Sequence, residues 1–191
     1  MTRILIVYAS DYGNTKKMAE AVAEGVRSTG AEALVKEADQ ATKEDLLGSD
    51  GLIMGSPVHM GSPDWRVKKF IDTVCSGLWM KDALIGRVGG VFASGGGFGS
   101  AGAGVEITLI AMLNNLAELG MMMVPLPKNT PEFKSGGIQW GPYGRSQGTG
   151  MEQTGVSKEA LKVAFQHGAN IARVAEVHKH HSPFLNETVK S

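Results

Sequence analysis

Ile4-Leu5-Ile6-Val7-Tyr8 runs almost directly into Ser10-Asp11-Tyr12-Gly13-Asn14-Thr15, after which Met18, Val22 and Val26 mark one stripe of an amphipathic helix. An apolar run, a turn of small and hydroxylated residues and a helical pattern make a strand-to-helix unit of a parallel sheet. Such a turn is also a phosphate cradle. Backbone N–H groups at the helix start are free to point at one anion, the helix dipole favours it, and Ser10 and Thr15 add hydroxyl donors. The turn has no lysine, and it carries neither the Gly-x-x-x-x-Gly-Lys pattern of triphosphate sites nor the Gly-x-Gly-x-x-Gly of dinucleotide sites. What fits is a monophosphate held mostly by neutral donors.

The alternation continues along the chain. Strand one is expected over Arg3 to Ala9 with its helix from Thr15 to Ser28, and strand two over Ala33 to Glu37 with a short helix near Lys43 to Leu47. Strand three is expected over Gly51 to Gly55. In helix three, Pro63 to Cys75, the residues Val67, Phe70, Ile71 and Val74 keep the i, i+3, i+4, i+7 spacing. Strand four follows over Val88 to Ala93, helix four over Val105 to Leu119, strand five over Met121 to Pro125 and helix five over Lys158 to Val177. Parallel strands alternating with helices give an α/β three-layer sandwich. Residues 126–156 show no periodicity, are dense in glycine, and form an uncommonly long connection of the kind that is functional or disordered.

Ser-x-x-Gly-Asn-Thr after the first strand resembles the FMN phosphate loop of flavodoxin-like proteins. Gly55-Ser56-Pro57-Val58-His59-Met60-Gly61, Gly77-Leu78-Trp79 and Val91-Phe92-Ala93-Ser94-Gly95-Gly96-Gly97-Phe98-Gly99 are similar to stretches of the WrbA-type NAD(P)H:quinone oxidoreductases within that group. With Gly141-Pro142-Tyr143-Gly144, the resemblance runs to about Val177. It implies a flavodoxin-like fold with a five-stranded parallel sheet of order 2-1-3-4-5, whose loops after strands one, three and four meet at the carboxyl edge, where ligands of such sheets bind.

The cofactor residues it implies are Ser10, Asp11, Tyr12, Gly13, Asn14 and Thr15 in the first loop. Pro57, Val58, His59, Met60 and Gly61 follow in the second, and Ser94, Gly95, Gly96, Gly97, Phe98 and Gly99 in the third. The glycines let backbone N–H groups approach a flat polar ring edge without side-chain obstruction. Tyr12, Trp79 and Tyr143 are the candidates for stacking on nicotinamide or quinone, with packing at the sheet rim or a subunit contact as the other reading of Trp79. The implied activity is hydride transfer from NADH or NADPH to FMN and then to a quinone in a ping-pong cycle, with no catalytic side chain assigned because the cofactor carries the electronics. Such proteins place a histidine just before the glycine that leads strand five, whereas here Glu118-Leu119-Gly120 stands. His59 either supplies that imidazole or is an exposed loop histidine.

Composition narrows the function. Nineteen basic and nineteen acidic residues balance to a formal net charge of zero, unlike the acidic flavodoxins that steer onto basic redox partners. A flavodoxin-type electron carrier serving a larger redox partner is therefore the alternative reading, and nucleic acid has no electrostatic footing. Cys75, the single cysteine, forbids an intramolecular disulfide and falls in the apolar region of helix three. No long apolar segment suggests membrane insertion, so a cytoplasmic protein is expected, and the resemblance implies a homodimer or homotetramer. Residues 1–178 read as the flavodoxin-like domain and 179–191 as a polar tail, and His178, His180 and His181, clustered near the terminus, read as solvated rather than metal-binding.

Overall fold

A computed structural model describes residues 1–179 and Phe184. The predicted unit at the start of the chain is present as β1 (Arg3–Tyr8) and α1 (Asn14–Arg27). β2 (Glu32–Glu37), α2 (Lys43–Leu47), β3 (Gly51–His59) and β4 (Ser62–Pro63) follow. Next come α3 (Trp65–Phe70), a π-helical turn over Ile71–Cys75, and α4 (Ser76–Trp79). β5 (Val88–Gly95), α5 (Val105–Glu118), β6 (Met122–Met123), α6 (Phe133–Gly136), β7 (Gly137–Ile138), β8 (Gly141–Arg145) and α7 (Lys158–His178) complete the chain. Of the predicted tail, Lys179 and Phe184 are described, while His180, His181 and Pro183 lie outside the described residues.

The central strands are parallel in the order β2-β1-β3-β5. Strands buried on both faces read as unbroken apolar runs, and β1 sends alternate residues to opposite layers. Ile4 and Ile6 meet α1 and α7 on one face, with Met18, Val22, Phe92 and Ile171. Leu5 and Val7 meet α3 and α5 on the other, with Val67, Phe70, Leu109 and Met112. Close contact of α1 with α7 rests on Gly25 and Gly168. A Cβ at Gly25 would lie 1.9 Å from the Phe165 carbonyl oxygen, and one at Gly168 would lie 2.1 Å from that of Val22.

Two expectations change. The predicted fifth strand, Met121 to Pro125, is split into two pieces. β6 pairs with Val88 and Gly89 at the amino half of β5, and Pro125, which has no N–H to donate, ends the ladder. The chain then leaves the sheet and returns as β8, which pairs in parallel with Ala93, Ser94 and Gly95 at the carboxyl half. Gly141 makes that return possible: its φ is 154°, and a Cβ there would sit 2.2 Å from the Val91 carbonyl oxygen. Part of the 126–156 connection is therefore a sheet edge. The predicted third helix begins at Trp65, after the β3–β4 hairpin has used Ser62 and Pro63, and it runs on through the π-helical turn to Trp79. Gly77-Leu78-Trp79 is accordingly helical.

His167 on α7 is fully buried, and neither ring nitrogen completes a hydrogen bond among the described residues. Burial pushes its pKa down to about 4, slightly offset by the Val91 carbonyl, so the folded protein holds it neutral. Its unfolded counterpart titrates near the ordinary value of 6.5. The stability owed to a neutral His167 is thus complete above that value and is lost as the pH falls toward 4. Urea midpoints of the parent should drop from pH 7 to pH 4.5, and His167→Leu should flatten that slope; parallel pH profiles would contradict the assignment.

Candidate functional site

Loops after β1, β3 and β5 converge at the carboxyl edge of the sheet around a cavity of about 140 Å³. Ser10, Asp11, Tyr12, Asn14 and Thr15 line it from the first loop, and Pro57, Val58 and His59 from the second. Ser94, Gly95 and Gly96 come from the third, while Ser146 and Gln147 follow β8.

Helix starts are treated unequally in this chain. Thr42 caps α2, Asp64 caps α3 and Ser157 caps α7, each with a side-chain oxygen that accepts a backbone N–H. α1 has Gly13 at its cap, at φ 78°, with no side-chain hydrogen bond and no acidic residue in its first turn. Among the described residues, the backbone N–H groups of Ser10 through Thr15 donate to no protein acceptor. The loop borders the cavity at the positive end of the helix dipole, an arrangement suited to an anion.

The hydroxyls play subtler parts than the sequence suggests. Ser10 Oγ accepts from the Lys16 N–H at 3.3 Å and keeps its own proton for another partner. Thr15 Oγ1 and Ser94 Oγ are 2.8 Å apart and buried, tying the first loop to β5. That pair has two protons and spends one between them, so one donor remains.

The second loop is a hairpin in which Val58 pairs with Pro63 and His59 with Ser62. Its tip, Met60 and Gly61, lies at φ 49° and 78°, with the Met60 side chain fully exposed. His59 places Nδ1 3.1 Å from Asp64 and Nε2 3.4 Å from Asp11. Arg66 holds the same two carboxylates, at 2.7 Å each. Burial of Asp64 opposes its ionisation, but hydrogen bonds and charge from Arg66, with His59 assisting, outweigh it and hold the carboxyl below its ordinary value. Asp11, His59 and Asp64 offer ligand atoms within 4.8 Å of one another. With Arg66 already on both acids, the set is an ion-pair network joining the first loop to the second.

The third loop is held from beneath by β8. The Tyr143 hydroxyl lies 3.0 Å from the carbonyl oxygens of both Gly95 and Gly96, and Arg145 reaches the carbonyls of Gly97, Gly99, Ala101 and Gln147. Gly97 sits at φ 133°, and a Cβ there would fall 2.2 Å from the Ala101 carbonyl oxygen, so the course demands glycine at this position. The N–H groups of Gly96, Gly97 and Phe98 have no acceptor among the described residues.

Of the residues singled out in the sequence, Gly13, Met60, Gly61, Gly97, Phe98 and Gly99 belong to the three loops without lining the cavity itself. Tyr12 and Phe98 stand exposed at its rim. Tyr143 props the glycine loop. Trp79 lies elsewhere, with Cys75, Glu118 and Leu119 around a separate hollow between α4 and the end of α5. Leu119, where the resemblance would place a histidine, is buried. The Cys75 thiol is buried as well, which pushes its pKa up to about 12 and leaves it unreactive. Ser146, Gln147 and Arg145 escaped the sequence reading because only the return of β8 to the sheet brings them here. The neighbouring Gly141-Pro142-Tyr143-Gly144 was the one signal in that stretch.

Arg66→Met would leave the buried Asp64 carboxylate without its guanidinium. A loss of about 1–3 kcal/mol in unfolding free energy is expected, with restoration in the Asp64→Asn/Arg66→Met double variant; an unchanged urea midpoint for Arg66→Met would count against the network.

Comparison with known proteins agrees with this geometry. A flavodoxin-domain family model matches residues 5–93. A flavodoxin of Aquifex aeolicus is 43% identical over 124 residues, a stretch that spans 64% of either chain. An NAD(P)H dehydrogenase (quinone) of Gluconacetobacter diazotrophicus is 33% identical over 198 residues, covering 90% of this chain and 98% of that protein. Among solved structures, the flavodoxin, WrbA-like protein from Agrobacterium tumefaciens superposes with a TM-score of 0.71 at 27% identity, covering 93% of this chain and 99% of its own.

Proposed function

The chain belongs to the flavodoxin-like family that includes the NAD(P)H dehydrogenases (quinone), and on that premise we propose that it binds FMN and transfers a hydride from NAD(P)H to a quinone. The observation that carries this reading is the uncapped start of α1, where the N–H groups of Ser10 through Thr15 await an anion. A cavity of about 140 Å³ is smaller than the roughly 300–1,000 Å³ of pockets that enclose whole ligands. It suits the phosphate end of FMN, and the glycine loop with exposed Tyr12, Met60 and Phe98 would hold the rest of the cofactor.

FMN held there would supply the hydride chemistry by which NAD(P)H, a proton and a quinone become NAD(P)⁺ and a hydroquinone. The protein contributes position. Tyr12 and Phe98 offer flat apolar surface for nicotinamide and then quinone at one open face, which makes a ping-pong order natural. The N–H groups of Gly96, Gly97 and Phe98 offer donors to the acceptor edge of the ring.

Exposed Trp79, Met80, Ile107 and Ile110 on the α4 and α5 side support self-association into a dimer or tetramer. Among the described residues no helix is long and apolar enough to cross a membrane, in keeping with the cytoplasmic placement we infer. A second reading, an electron carrier, draws on the 43% identity to a protein named flavodoxin; the neutral net charge weighs against it.

Two outcomes are expected. Anaerobic FMN-loaded protein mixed with NADH or NADPH should lose its yellow absorbance and regain it on addition of benzoquinone; flavin that stays oxidised with both nucleotides would favour the carrier. Asn14→Asp puts a negative charge in the first turn of α1. It should stabilise the flavin-free protein by about 0.3–1 kcal/mol while weakening FMN on the order of tenfold or more through like-charge repulsion. Unaltered FMN affinity would dislodge the phosphate from this loop.

A further inference from the structure

We propose that Arg145 is a positioning residue that aims the backbone donors of the glycine loop and, as an unneutralised cation behind them, favours the reduced form of the flavin. The inference rests on the FMN reading above and concerns a side chain that lines no part of the cavity. Its guanidinium spans the loop. Nε donates to the Gln147 carbonyl at 2.8 Å, Nη2 to those of Gly97, at 2.6 Å, and Gly99, and Nη1 to that of Ala101 at 3.4 Å.

Peptide planarity turns these contacts into directions. In a trans peptide the C=O of one residue and the N–H of the next point opposite ways. Fixing the Gly97 carbonyl on Arg145 therefore turns the Phe98 N–H away from β8. The Gly95 carbonyl, which accepts from the Ser146 N–H, and the Gly96 carbonyl, 3.0 Å from the Tyr143 hydroxyl, turn away the N–H groups of Gly96 and Gly97 in the same manner. Among residues 96–99 these three N–H groups have no acceptor, whereas that of Gly99 donates to the Thr149 carbonyl. The backbone here follows an unusual course, with Gly97 at φ 133° and Ala103, which carries a Cβ, at φ 51°. A multidentate clamp is what holds such a course in place.

Charge adds a second effect. Among the described residues no carboxylate pairs with Arg145, whose partners are all neutral carbonyls. Gly95, Gly96 and Gln147, next to it in space, line the cavity. A positive charge this close stabilises electron density gained by a ring in that cavity, and fixed loop dipoles act with it.

The experiment compares the parent with Arg145→Lys, which keeps the charge but loses the planar fork, and Arg145→Gln, which loses both. Circular dichroism and thermal unfolding confirm that each variant is folded. In flavin-free protein, amide hydrogen exchange at Gly99 and Ala101, whose N–H groups donate to the Thr149 and Phe98 carbonyls, should quicken about tenfold in both variants. In FMN-loaded protein, the midpoint potential should fall in Arg145→Gln by about 30 mV. That corresponds to a tenfold drop in the preference for reduced over oxidised FMN in a two-electron couple. Arg145→Lys should stay near the parent value.

Parental exchange rates in both variants would overturn the clamp, and equal potentials in the parent and Arg145→Gln would overturn the electrostatic role. Failure of the parent itself to bind FMN would refute the functional reading and the electrostatic role with it, while the exchange rates would still decide the clamp.

Discussion

Backbone N–H groups at the start of α1 that have no protein acceptor are the constraint around which this end of the molecule is built. Three other helices, α2, α3 and α7, spend a threonine, an aspartate and a serine on such groups, whereas α5 also starts at a left-handed glycine, Gly104, away from the first loop. At α1 a glycine in the left-handed region bends the chain into the helix and leaves the donors bare. Without a ligand they are left to water, so α1 relies on its buried face against β1, β3 and α7 for stability. An anion placed there completes the cap that the sequence omits.

A recognition surface made of three loops needs its parts held in register, and each joint uses a different interaction. Thr15 and Ser94 share a buried hydrogen bond between the first loop and β5. Asp11, His59, Asp64 and Arg66 tie the first loop to the hairpin after β3. Tyr143 and Arg145 brace the glycine loop from the edge strand. The last of these depends on Pro125 stopping the sheet edge early, which lets β8 take over beside the carboxyl half of β5. An interruption in the sheet thereby becomes a support for the site.

Elements dominated by local pattern were legible from residues alone. The apolar runs of β1, β3 and β5 and the stripes of α1, α5 and α7 carry their periods openly. The first loop could be read as a strand-to-helix turn, and its small residues without a lysine are the basis of the monophosphate proposed for it. β8 could not be read. Gly141-Pro142-Tyr143-Gly144 has no alternation, and its strand character comes from the exposed edge of β5 that it joins. For the same reason Arg145 and Gln147 were invisible, since their neighbours 95–101 are far away in sequence. The hydrogen bond between Thr15 and Ser94 was likewise hidden, both residues having been read as facing a ligand rather than each other.

The central claim is that the bare donors of the first loop bind a monophosphate, and it is tested most directly by calorimetric titration of the flavin-free protein with FMN and with riboflavin. These two ligands differ only in the phosphate. The account predicts that FMN binds at least a hundredfold more tightly, the combined effect of several charge-assisted hydrogen bonds at a helix start. Equal affinities for the two would contradict it, because the ring alone would then carry recognition and the start of α1 would have no role in it.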